Sequence, residues 1–93
     1  MKITGRVDHL LDGGSIGIKT DKGEFFIDGR LKTDTKNALY LGYPDAEKGR
    51  KAGELVTDQK TKNELIKALV ENRNACLKLE TNATDQALQR LRR

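Results

Sequence analysis

The chain has 93 residues, 35% of them hydrophobic and 34% charged, which favours a single folded domain over residues 1–93 rather than a disordered segment. Its net charge is +4, and all of the excess lies in residues 47–93, which carry eleven basic and seven acidic side chains. One cysteine excludes a disulfide framework, and the absence of a signal-like segment and of an apolar run near the roughly 20 residues of a membrane span predicts a cytoplasmic protein without membrane association.

Residues 1–44 are predicted to form an antiparallel sheet. Apolar and polar residues alternate from Ile3 to Leu11, which is the period of a half-buried strand. Glycine-containing turns at 12–15 and 21–23 separate this strand from two more, with Ile16, Ile18, Phe25 and Ile27 predicted to face inward and Phe26 outward. The pattern therefore indicates a three-stranded meander.

The next segments are shorter and more polar. Residues 38–43 are compatible with a fourth strand or a short helical turn, and Pro44 ends this element. Residues 45–53 contain two glycines and many charges, which predicts an exposed basic loop. Residues 54–57 are compatible with a brief further strand.

Residues 54–93 are predicted to form a helix–strand–helix unit. Asp58 or Thr61 can cap the first helix, whose apolar residues fall on one stripe: Leu65, Ile66, Leu69 and Val70. Alternation over 75–80 predicts a last strand, which includes Cys76. Thr84 or Asp85 is then predicted to cap a short C-terminal helix that carries Ala87, Leu88 and Leu91.

The chain is therefore predicted to be an α+β domain, with an N-terminal antiparallel meander or small barrel packed against one amphipathic helix. A bent, glycine-containing first strand, a glycine turn, two more strands and a glycine-led strand from Gly53 resemble in outline a five-stranded OB-type barrel. The resemblance covers about half of the chain, and it depends on turn placement and alternation alone.

Catalytic residues are not indicated by the sequence. His9, the one histidine, lies in phase with the inward residues of the first strand and has no evident nucleophile beside it. Cys76 has no second histidine that could activate it. We therefore expect a protein that is not an enzyme and that uses no cofactor or metal.

Nucleic-acid binding is one prediction for this chain. Arg6, Lys19 and Phe26 are expected to project from the outer sheet face on adjacent strands, and a ring flanked by cations is a common way to hold a single strand of RNA or DNA. Two basic clusters could extend that surface: Lys48, Arg50 and Lys51, and Arg90, Arg92 and Arg93.

A protein-interaction module is the competing prediction, and it ranks slightly ahead. Its anchors would be the exposed aromatic residues Phe26, Tyr40 and Tyr43, because aromatic side chains are enriched among residues that dominate binding energy. The C-terminal helix could lie on a partner or complete a homodimer. Such a module would be a small regulator, inhibitor or adaptor from a bacterium or a mobile element.

Overall fold

A computed structural model describes residues 1–8, 14–29, 37–42, 53–76 and 78–92 of the chain. Within these ranges the chain forms five strands and then two helices. The strands are β1 (Ile3–Asp8), β2 (Ile16–Thr20), β3 (Gly23–Ile27), β4 (Leu39–Leu41) and β5 (Glu54–Leu55). The helices are α1 (Gln59–Ala75) and α2 (Lys78–Leu91). The predicted α+β class is confirmed.

The five strands form one open antiparallel sheet in the order β1-β2-β3-β4-β5. Each strand pairs with its neighbour in the chain, so the predicted meander is confirmed and extends to a fourth and a fifth strand. In the described residues β1 and β5 are the two edges of this sheet. The OB-type barrel is not confirmed, because a barrel requires the sheet to close on itself.

The turn between β2 and β3 depends on a glycine and a threonine. Gly23 has a φ of +122°, a backbone conformation that residues with a Cβ rarely adopt. The Thr20 hydroxyl donates to the Gly23 carbonyl at 2.7 Å and accepts from the Lys22 amide at 3.2 Å. The turn predicted at residues 21–23 is therefore confirmed.

Helix α1 begins where a side chain can satisfy its first amides. The Asp58 carboxylate accepts from the Thr61 amide at 2.9 Å, so Asp58 is the N-cap. Leu65 and Leu69 of the predicted apolar stripe are buried, and Ile66 and Val70 pack partly buried beside the core. The sequence therefore predicted both the start of α1 and the face that it buries.

Both helices cover the same face of the sheet. The core contains Val7, Ile18 and Phe25 from the strands, Leu65 and Leu69 from α1, and Ala83, Ala87, Leu88 and Leu91 from α2. Arg73 of α1 and Asp85 of α2 form an ion pair at 2.6 Å. The face of the sheet that carries these core residues is called the inner face below, and the opposite face is the outer face.

The predicted strand over 75–80 is wrong. Ala75 is the last residue of α1, Cys76 follows it as the C-cap, and α2 begins at Lys78. Buried residues of α2 recur every three or four positions, which is the helical period, and Thr84 is fully buried inside the helix. Thr84 and Asp85 therefore do not cap α2, and the described residues from Glu54 onward form one strand and two helices.

Other predictions fall on residues that the structure does not describe. These are the end of the first strand with His9, the turn at 12–13, Tyr43 with Pro44, and all of the basic loop at 45–53 except Gly53. No helix in the described ranges has the length and apolar character needed to cross a membrane.

Candidate interaction site

The outer face of the sheet carries one row of residues across four strands. Gly17 of β2 lies opposite Phe26 of β3, which lies opposite Tyr40 of β4, which lies opposite Leu55 of β5. Because side chains alternate along a strand, these positions share the face turned away from Ile18, Phe25 and the helices. Lys19, opposite Glu24, also lies on this face.

Phe26 and Tyr40 were predicted to be exposed, and this prediction is wrong. Phe26 is 6% exposed and Tyr40 is 3% exposed. Neither belongs to the inner-face core, so these rings form a separate buried pair on the outer face. Gly17 lies opposite Phe26 on the neighbouring strand.

Leu55 differs from these two rings, although it lies in the same row. Leu55 is 50% exposed, whereas the other large hydrophobic residues whose side chains the structure describes are buried or half-buried. Its strand is an edge of the sheet and pairs with β4 alone among the described strands. Glu54, the other residue of β5, is also exposed and lies opposite Leu41.

The predicted basic contacts that the structure describes differ in their surroundings. Arg6, Lys19 and Arg92 are exposed. Arg90 is directed at the protein itself, because its Nη1 donates to the Gly14 carbonyl at 2.6 Å. Lys48, Arg50, Lys51 and Arg93 lie outside the described residues.

The titratable side chains of the described residues were compared for metal-binding clusters and for shifted pKa values. No cluster of three or more His, Cys, Asp or Glu that could hold a metal occurs in the described ranges. Cys76 is half-buried at the end of α1. The Asp58 carboxylate accepts hydrogen bonds from the Thr61 hydroxyl and from the Thr61 amide. These bonds, the first more than the second, hold the pKa of Asp58 below its ordinary value of 3.8, as expected for an N-cap residue.

Two shallow depressions flank Met1 beside α1. Their volumes are about 230 and 320 Å³, and both are bordered by Ala68 and Glu71. At the larger one, Lys22 and Glu64 already form an ion pair at 3.6 Å. Basic and acidic side chains surround a small apolar area in these depressions, so the depressions do not favour one class of ligand.

Leu55 was missed as a candidate by reasoning from the sequence, which predicted only a brief strand over residues 54–57. Its exposure follows from the position of β5 at the edge of the sheet, and the strand order is a tertiary property. The pattern of residues 54–57 could not indicate it, because alternation within one strand does not encode that strand's place in the sheet.

Comparisons with known proteins identified no relative: no protein-family model, curated protein or solved structure matches the chain.

Proposed function

We propose that this chain is a non-enzymatic, cytoplasmic protein-binding module whose contact surface is the β5 edge of the sheet. The observation that carries the proposal is Leu55, a half-exposed leucine on an edge strand. A single exposed leucine is common on protein surfaces. Leu55 is distinguished by its position on a strand whose second side pairs with no described strand, where a partner could gain apolar contact and backbone hydrogen bonds together.

Strand addition is the binding mode that such an edge supports. The backbone of β5 pairs with β4 on one side, and no described strand pairs with β5 on its other side. An extended segment of another protein can occupy that side, with main-chain hydrogen bonds supplying affinity and side-chain contacts supplying specificity. β5 has only two residues, so an added strand can make few main-chain hydrogen bonds with it, and the complex is expected to be weak.

Nucleic-acid binding remains the alternative, with weaker support. Stacking on a base requires an exposed ring, and Phe26 and Tyr40 are buried. Arg6 and Lys19 are exposed cations that could contact phosphates, but Arg90 is engaged with Gly14. The described residues thus offer charge for a nucleic acid without the stacking platform.

Site-specific crosslinking tests the proposal. A photoreactive residue placed at position 55 should give a discrete, nuclease-resistant crosslinked protein in a lysate of the source cells. Thr4 lies exposed on β1, the opposite edge of the sheet, so the same photoreactive residue at position 4 is the matched control. Leu55→Glu should reduce recovery of that partner at least tenfold, whereas Thr4→Glu should leave it unchanged.

The alternative predicts a different pattern. If nucleic acid is the partner, nuclease abolishes every crosslink, and binding falls steeply as salt rises. Loss of binding on Arg6→Gln with Lys19→Gln, together with normal binding by Leu55→Glu, would reject the protein-binding proposal.

A further inference from the structure

The chemistry of β5 also indicates what kind of segment would pair with it; this inference rests on the proposed function. Leu55 and Glu54 project to opposite faces of the sheet, because Leu55 lies across from Tyr40 and Glu54 across from Leu41. Both side chains are exposed. An added strand would therefore meet an apolar group on the outer face and a carboxylate on the inner face.

We propose that the β5 edge binds an extended segment that alternates an apolar residue beside Leu55 with a lysine or arginine beside Glu54. Adjacent strands place their side chains in matched rows, so each residue of the added strand faces one residue of β5 on the same side. A cation next to Glu54 forms a cross-strand ion pair. An acidic residue there would be repelled, so the charge of Glu54 selects among extended segments.

A second copy of the chain fits this edge less well. If β5 of two copies paired antiparallel with Leu55 opposite Leu55, Glu54 of each copy would lie across from Val56 of the other. Val56 is half-buried and packs beside the core, and it gives Glu54 no counter-charge. Covering the carboxylate without a cation has a desolvation cost. The edge therefore favours a basic, apolar partner strand over self-association.

Two synthetic peptides of equal length test the inference, one alternating valine with lysine and the other alternating valine with glutamate. Binding is followed through the backbone amide shifts of the ¹⁵N-labelled protein. We expect the lysine peptide to shift residues 53–57 and to bind about tenfold more tightly at low salt, with the ratio shrinking as salt is added. Because the chain has a net charge of +4, non-specific attraction would produce the opposite preference.

Three variants define the outcome. Glu54→Lys should reverse the preference. Glu71→Lys, which makes the same charge change at an exposed position of α1, should preserve it. Leu55→Glu should weaken binding of both peptides.

The failures of the two proposals are distinguishable. If both peptides shift residues 53–57 equally, or if Glu54→Lys leaves the preference unchanged, the charge selection is overturned and strand addition stands. If neither peptide binds, the inference about a basic strand is overturned. If the shifts lie away from β5 and Leu55→Glu has no effect, the β5 site itself is rejected. A dimer in sedimentation that Leu55→Glu dissociates would show that a second copy is the occupant.

Discussion

The hydrogen bonds of Asp58 make the stability of the folded chain depend on pH. The Asp58 carboxylate accepts hydrogen bonds from the Thr61 hydroxyl and amide, which lowers its pKa below 3.8. Such a group binds a proton more weakly in the folded chain than in the unfolded one. Its contribution is therefore complete above the unfolded pKa and is lost as pH falls through the lower folded value.

We expect Asp58→Asn to remove this part of the pH dependence. Asparagine keeps the N-cap oxygen and loses the titrating proton, so the variant should unfold near the wild-type urea concentration at pH 7. As the pH falls below 3.8, the wild type should lose more stability than the variant. Urea unfolding across pH measures both. Parallel stability curves for the two proteins would contradict the role of the Asp58 charge.

At the level of elements, β1 shows how a strand can be irregular and still pair. Ile3 lies opposite Thr20 and Val7 opposite Ile18, so the register shifts between these two pairs. Gly5 lies within the shifted segment. A Cβ on Gly5 would lie 3.0 Å from Lys19 Cβ and 3.1 Å from Lys19 Cδ. The strands approach too closely there for a side chain.

Gly5→Ala should therefore destabilise the protein by about 1 kcal/mol, because the added methyl group requires Lys19 and its strand to shift by a few tenths of an ångström. Lys19 Cβ is fixed to the backbone of β2, so relief requires the two strands to move apart. Thr4→Ala, at the exposed neighbouring position, is the control and should change the free energy of unfolding by less than about 0.5 kcal/mol. Equal stability of Gly5→Ala and wild type would show that β1 shifts without cost.

Some of the strands and helices could be predicted from the sequence pattern alone, and others could not. Strands β2 and β3 and helix α1 were predictable because each has one dominant period and a clear boundary: a glycine turn for the strands and Asp58 for the helix. Residues 75–80 alternate equally well, yet they span the end of one helix and the start of the next. Six residues are too few to separate a period of two from a junction between two helices.

The candidate site was less predictable for a related reason. Alternation correctly placed Phe26 on the outer face, but it could not indicate that this face buries Phe26 and Tyr40 as a second cluster. The exposure of Leu55 depends on the order of strands in the sheet. Burial on the second face of a sheet and position at its edge are both set by tertiary packing, which the pattern within one strand does not encode.

At the scale of the whole molecule, one contact joins two parts of the described chain that are far apart in sequence. Arg90, in the last turn of α2, donates to the carbonyl of Gly14, 76 residues away. Gly14 precedes β2 and has a φ of +83°, a conformation in which glycine is favoured. This contact holds the C-terminal end of α2 against the start of β2, and it gives Arg90 a structural role that the sequence did not predict.

Arg90→Gln should accordingly lower the free energy of unfolding by about 1.5 kcal/mol, the lower end of the range for hydrogen bonds that involve a charged group. Arg92→Gln makes the same charge change at an exposed position and should have almost no effect. Urea unfolding of both variants measures the difference. If Arg90 instead served nucleic acid, its replacement would leave stability unchanged and weaken RNA or DNA binding about as much as Arg92→Gln does. Loss of stability confined to Arg90→Gln would establish that Arg90 holds the fold together whereas Arg92 serves no structural purpose.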